Sequence, residues 1–135
     1  MKLEGGCYCR NLRYAAEGKP ALKAQCHCRE CQYISGGAPN LFMLMAAEGF
    51  TYTKGVPKLF KRTDIENAVT REFCAECGTH ILTRRPGLTQ VVLKIGTLDE
   101  PASVYSPKMA IFTRDMQPYH FIAEGLPAFD RLPNT

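Results

Sequence analysis

Three short clusters of cysteines constrain this chain more than any other feature of its sequence. The seven cysteines are Cys7 and Cys9, then Cys26, Cys28 and Cys31, then Cys74 and Cys77. An odd number cannot all pair as disulfides, and a cytosolic thiol pool keeps such residues reduced. The pattern therefore favours metal binding or catalysis over a disulfide framework.

The two outer clusters together supply a complete set of ligands for one structural zinc ion. In Cys74-Ala75-Glu76-Cys77-Gly78, a Cys-x-x-Cys turn directs two sulfurs at one centre, and the following glycine supplies left-handed backbone. Gly5-Gly6 before Cys7 allows a comparable tight turn. Structural zinc takes four ligands, so we expect a closed site made of Cys7, Cys9, Cys74 and Cys77. Such a clip across a long loop would hold the fold together.

The middle cluster is left with three thiolates, Cys26, Cys28 and Cys31. Three protein ligands and one exchangeable position are typical of a catalytic zinc. Thiolates make the ion electron-rich, which favours a soft fourth thiolate over a hydroxide. These cysteines therefore predict a second, catalytic zinc, two ions per chain, and a small-molecule thiol as substrate.

Other interpretations of the same residues stay open. His27, His80 or an acidic residue could complete a second structural site, although His27 lies between two ligands and its ring should point away. The Cys74-Ala75-Glu76 motif is similar to one in zinc deaminases, but the order of motifs is reversed. The spacing does not match common iron–sulfur runs. A non-catalytic zinc module for a protein or chromatin partner is the main alternative function.

The charge of the chain gives little support for a nucleic-acid partner. The formal charge is +4, with a pI near 8.7. Seven thiolates and two Zn²⁺ would lower it to about +1, and no basic tail is present. No run of about 20 apolar residues could span a bilayer. The amino terminus lacks the apolar run of a signal peptide, so we expect a cytoplasmic protein without membrane contact, with homo-oligomers possible.

The hydrophobic pattern predicts a mainly β fold in one domain over residues 1–135. Short apolar and β-branched runs alternate with Gly, Pro and Asp. The predicted strands are 41–46, 50–54, 58–62, 68–73, 80–84, 90–97, 109–113 and 119–123. The tail near Phe129 should lie extended over the body of the fold, anchored by that side chain.

Three motifs in order resemble the glutathione-dependent formaldehyde-activating enzyme family, which also includes centromere protein V. They are Gly5-Gly6-Cys7-Tyr8-Cys9, Cys26-His27-Cys28-Arg29-Glu30-Cys31, and Arg71-Glu72-Phe73-Cys74-Ala75-Glu76-Cys77-Gly78-Thr79. The resemblance extends to Lys94-Ile95-Gly96-Thr97-Leu98-Asp99. It implies a tent-like fold of short antiparallel sheets around a structural zinc, with a second zinc site. It also implies carbon–sulfur lyase activity, in which glutathione and formaldehyde form S-hydroxymethylglutathione.

The chain departs from the family pattern at four positions. Arg10 stands where the family usually has Gly, and Gln32 where it often has Arg. Ala110 and Tyr119 fall where many members have His and Trp. We expect Gln32 and Ala110 to lie near the second zinc. The candidates for handling a proton, by side-chain chemistry alone, are Arg71, His80 and Tyr105.

Overall fold

The computed structural model describes residues 1–133. Within them the chain forms ten strands, one short helix and four single-turn 3-10 helices. In chain order the strands and helix are β1 (Lys2–Gly6), β2 (Arg13–Glu17), β3 (Leu22–Cys26), α1 (Arg29–Ile34), β4 (Asn40–Ala46), β5 (Phe50–Lys54), β6 (Lys58–Lys61), β7 (Thr70–Phe73), β8 (His80–Arg84), β9 (Gln90–Lys94) and β10 (Met109–Ile111). The 3-10 turns are Ala47–Gly49, Ile95–Thr97, Pro101–Ser103 and Thr113–Asp115. No helix of this part of the chain has the length and apolar character needed to cross a bilayer.

The strands form two sheets. The smaller has the order β1-β2-β5, and the larger has the order β10-β3-β4-β9-β8-β7-β6. Neighbouring strands are antiparallel, except that β10 runs parallel to β3. The mainly β class predicted from the sequence is therefore confirmed.

The two faces of the larger sheet pack into two separate apolar clusters. Successive side chains of a strand point to opposite faces. In β4, Met43 and Met45 enter the main core between the sheets, where Tyr14 is also buried. Phe42 and Leu44 face the other way and join the second cluster. This second face carries the candidate site.

Most predicted strands exist, and the errors have physical causes. Predicted strand 90–97 ends at Lys94, where a 3-10 turn begins. Predicted strand 109–113 ends at Ile111, because Phe112 has a φ of 55°. The prediction of a strand at 119–123 is wrong: the segment is turn and irregular structure, and Tyr119 and Phe121 are exposed.

The segment around Ala128, rather than 119–123, lies along β10. Ala128 forms a parallel bridge with Ala110, and the amide of Phe129 donates to the Ala110 carbonyl at 2.9 Å. The Phe129 side chain packs into the second apolar cluster. The prediction of an extended, Phe129-anchored tail is confirmed.

Candidate metal centres and active site

The four outer cysteines converge on one point, although 65 positions separate Cys9 from Cys74. All four Sγ atoms lie within 4.8 Å of one another. The Sγ of Cys9 is 3.6 Å from those of Cys7 and Cys74. Sulfurs 2.3 Å from a tetrahedral zinc are about 3.8 Å apart. The donor set and its spacing therefore fit a four-thiolate zinc site, on Cys7, Cys9, Cys74 and Cys77.

Local backbone shapes both turns of this site. The amide of Leu12 donates to Cys7 Sγ at 3.2 Å, and the amide of Cys77 donates to Cys74 Sγ at 3.4 Å. Gly78 closes the second turn with a φ of 78°, the left-handed conformation that the sequence predicts. A Cβ added at Gly5 would lie 2.2 Å from the Thr97 carbonyl oxygen. That position therefore requires glycine.

A hydrogen bond favours the ionised form of Cys77 in the outer site. The Thr79 hydroxyl lies 3.2 Å from Cys77 Sγ. This contact lowers the pKa of the Cys77 thiol to about 5. A thiolate is the form that binds a metal, so this contact favours Cys77 as a metal ligand.

The middle cysteines gather at the end of β3 and the start of α1. Their Sγ atoms lie within 4.8 Å of one another, and among residues 1–133 no His, Asp or Glu atom joins that group. Cys28 is the N-cap of α1, and its sulfur accepts a hydrogen bond from the Cys31 amide at 3.3 Å. Hydrogen bonds from the Cys26 and Cys31 thiols lower the pKa of Cys28 to about 2. The three sulfurs offer an incomplete ligand set.

His27 lies between two of these cysteines, yet it belongs to a separate buried network. The His27 ring is fully buried, and its Nδ1 lies 3.0 Å from His120 Nδ1. If the Gln25 amide donates to His27 Nε2, His27 donates to His120, which then donates to the Gly37 carbonyl. All polar atoms of both rings are then satisfied with neutral imidazoles. The ring points away from the cysteines, as expected.

A cavity of about 410 Å³ opens beside the middle cysteines on the second face of the larger sheet. This is within the range of about 300 to 1,000 Å³ typical of ligand pockets. Its polar lining includes Arg71 of β7, Thr83 of β8 and Lys94 of β9, together with the three cysteines. Its apolar lining consists of Leu22, Phe42, Leu44, Val69, Leu88, Val92, Ile111, Phe112 and Leu132.

Lys94 is a functional candidate that the sequence analysis missed. Its side chain is only 8% exposed and lines the cavity, where it forms no hydrogen bond or ion pair within the described residues. Desolvation lowers the pKa of Lys94 to about 8. The sequence does contain a signal for it, because Lys94 directly follows the apolar run Val91-Val92-Leu93. A lysine buried with such a strand is rare without a partner.

Of the three residues considered for proton handling, only Arg71 is among those that line the cavity. Its guanidinium donates to Glu30 Oε1 at 2.5 Å and to the Thr83 hydroxyl at 3.4 Å. His80 stacks on Phe73. The Tyr105 hydroxyl donates to the Ala24 carbonyl. Neither of these last two residues lines the cavity.

The positions that depart from the family pattern lie outside the cavity lining. The Gln32 amide donates to the His27 carbonyl at 2.8 Å and to the Asp115 carbonyl at 2.9 Å. Ala110 is fully buried between β3 and the tail. Tyr119 is 71% exposed. Gln32 directly follows Cys31, and Ala110 pairs with Gln25, the residue before Cys26. Both therefore lie near the middle cysteines, as expected, without lining the cavity.

Comparison with known proteins gives one family and one fold. The family model described as glutathione-dependent formaldehyde-activating enzyme matches residues 2–115. A crystal structure of a Rhodobacter sphaeroides protein superposes with a TM-score of 0.62 at 15% sequence identity, over 78% of this chain and 97% of that one. At that identity the likeness shows a shared fold. No curated protein matches the chain.

Proposed function

Because the chain belongs to the glutathione-dependent formaldehyde-activating enzyme family, we propose that it is a zinc-dependent, carbon–sulfur lyase-like enzyme acting on a thiol adduct. One reaction of this class joins glutathione and formaldehyde to give S-hydroxymethylglutathione. The observation that carries the proposal is the set of three convergent sulfurs at the head of a cavity, without a fourth ligand among residues 1–133. A closed four-ligand site has no place for a substrate.

We assign two zinc ions per chain. Cys7, Cys9, Cys74 and Cys77 would hold the structural ion, and Cys26, Cys28 and Cys31 would hold the second. Zinc at the second site would keep a substrate thiol deprotonated near neutral pH. The buried Gln32 amide donates hydrogen bonds to the His27 and Asp115 carbonyls. These bonds would keep the three cysteines in place while substrates exchange.

The cationic side chains of the cavity would bind and orient the thiol substrate. Lys94 and Arg71 are buried beside the cysteines, and glutathione carries two carboxylates. Arginine stays protonated in proteins, so Arg71 would orient a carboxylate or a developing negative charge rather than transfer a proton. In the forward reaction the sulfur forms a bond to the carbonyl carbon, and the carbonyl oxygen gains the proton lost by the thiol.

A cytoplasmic location agrees with this substrate, because glutathione keeps cytosolic thiols reduced. The location, the single-domain organisation and the oligomeric state stay predictions from the sequence.

A cobalt-substituted sample tests the proposal directly. Titration with glutathione should increase the sulfur-to-cobalt absorption of the second site, because a fourth thiolate is added. S-methylglutathione, which has the same carboxylates without a free thiol, is the matched control and should add no such band. The zinc protein should also accelerate S-hydroxymethylglutathione formation measured by NMR. If glutathione leaves the spectrum unchanged and no rate increase appears, the non-catalytic zinc module becomes the better function.

A further inference from the structure

The cavity beside the middle cysteines is divided into an apolar half and a cationic half by the order of strands in the larger sheet. Cross-strand partners point to the same face. One row of partners runs from Leu22 through Leu44 to Val92 and continues to Thr83 and Arg71. The row is therefore apolar on β3, β4 and β9 and polar on β8 and β7.

A second row repeats this division nearer to the cysteines. Ala24 pairs with Phe42, and Phe42 pairs with Lys94. Cys26 lies two positions further along β3, beside Ile111 of β10. The reactive sulfurs thus border an apolar wall on one side and the buried Lys94 on the other.

A reaction between glutathione and formaldehyde alone offers few apolar atoms to cover the apolar half. Glutathione is polar and charged, and formaldehyde has one carbon. Leu22 and Leu44 are only half-buried because they face the cavity. A ligand that covers this apolar wall should bind more tightly. Each methylene it buries should contribute about 0.8 kcal/mol to the binding free energy, or roughly fourfold in affinity.

We propose that the carbon partner of the reaction is an aldehyde with an apolar chain, held against Leu22, Phe42, Leu44 and Val92. Lys94 binds a carboxylate of the thiol, because the other buried cation, Arg71, is already paired with Glu30. This inference rests on the proposed function and names its substrate class. The thiol sulfur bonds to the aldehyde carbon, the thiol proton passes to the carbonyl oxygen, and the product is a hemithioacetal. No oxidant or reductant is needed.

Binding of S-alkylglutathiones tests the apolar half without requiring activity. Calorimetry on the zinc-loaded protein should give roughly fourfold tighter binding per added methylene from S-methylglutathione to S-hexylglutathione. Leu44→Thr should reduce this dependence on chain length. Leu41→Thr, on the same strand but outside this cavity, is the matched control and should keep the parent's dependence. Affinity that does not change with chain length overturns the proposal.

A variant of Lys94 tests the cationic half of the cavity. Lys94→Met keeps the length of the side chain and removes its charge. It should weaken S-methylglutathione and S-hexylglutathione by the same factor, at least tenfold, because both carry the same carboxylates. A loss confined to one ligand, or no loss, contradicts the assignment of Lys94 to the carboxylates.

Rates separate this inference from the proposed function. With glutathione as the thiol, kcat/KM should be higher for hexanal than for formaldehyde. Acceleration with formaldehyde but no gain with hexanal would sink the aldehyde assignment and leave the proposed function standing. Chain-length-dependent binding without acceleration for any aldehyde would reject the proposed function, and with it the aldehyde substrate, while the apolar subsite would stand as a binding site.

Discussion

Arg10 departs from the family pattern at a position where the backbone is also strained. It has a φ of 68°, in the turn where its amide donates to the Cys7 carbonyl at 3.1 Å. A side chain in this left-handed region costs roughly 1 to 2 kcal/mol, whereas glycine adopts it freely. The family's usual glycine at this position is thus explained by the geometry of the first cysteine turn.

Arg10→Gly should therefore stabilise the protein. Relief of backbone strain contributes about 1 to 2 kcal/mol, and the added conformational entropy of the unfolded state costs about 0.5 to 1 kcal/mol. The free energy of unfolding should therefore rise by up to about 1.5 kcal/mol. Gly87→Ala is the converse control, because Gly87 has a φ of 80° and open space around an added Cβ; it should lower stability by a similar amount. Urea unfolding at equal zinc content measures both. If Arg10→Gly destabilises the protein, the arginine side chain contributes more to stability than its backbone strain costs.

Among the elements, α1 depends on tertiary contacts for its existence. It has six residues, well below the roughly 12 to 15 at which an isolated helix becomes marginally stable in water. Its N-cap is the sulfur of Cys28, and its one buried residue is Gln32. The helix places Cys31 beside Cys26 and Cys28 only while these contacts hold.

Gln32→Leu should loosen this helix and weaken the second metal site. The His27 and Asp115 carbonyls would lose their donor, and a buried polar group without a partner costs about 1 to 3 kcal/mol. The midpoint of unfolding should fall, and so should the affinity for the second zinc ion, measured by competition with a chelator. Tyr33→Ala, on the exposed face of the same helix, is the control and should change either value little. Unchanged zinc affinity in Gln32→Leu would show that the helix does not position the cysteines.

Across the whole molecule, the two cysteine clusters constrain the chain very differently. The outer one joins the turn after β1 to the turn between β7 and β8, across 65 positions. The middle one spans only Cys26 to Cys31. Loop-closure entropy grows with loop length, so a metal ion bound at the outer site would stabilise the fold far more than one bound at the middle site.

Cys74→Ser and Cys31→Ser should consequently have different effects. A structural zinc contributes on the order of 10 kcal/mol in finger peptides, comparable with the whole stability of a domain, so Cys74→Ser should fail to fold. Cys31→Ser should stay folded, lose its second zinc and lose glutathione binding. Thermal melts, zinc counts and the cobalt titration check this. If Cys31→Ser unfolds as readily as Cys74→Ser, or binds glutathione normally, the division into structural and working zinc is wrong.

Strands with β-branched and apolar residues, such as β8 and β9, could be predicted from sequence alone because their side chains favour extended backbone. β1, β2 and β3 were missed, since Gly, Ala and charged residues carry no strand signal and the pairing partners decide. The segment 119–123 shows the converse. Its apolar residues favoured a strand, but Tyr119 and Phe121 are exposed. Ala128 of the tail pairs with β10 instead.

The grouping of the cysteines follows from the sequence alone, because ligand spacing within a turn is a local property and zinc chemistry fixes the number of ligands. Metal binding at both groups stays a prediction. The identity of the residues that face the middle cluster, in contrast, depends on the folded chain. Arg71, Phe42 and Lys94 come from three strands whose order in the sheet is non-local. Alternation along a strand assigns each side chain to a face, but the order and register of the strands decide which side chains share the cavity.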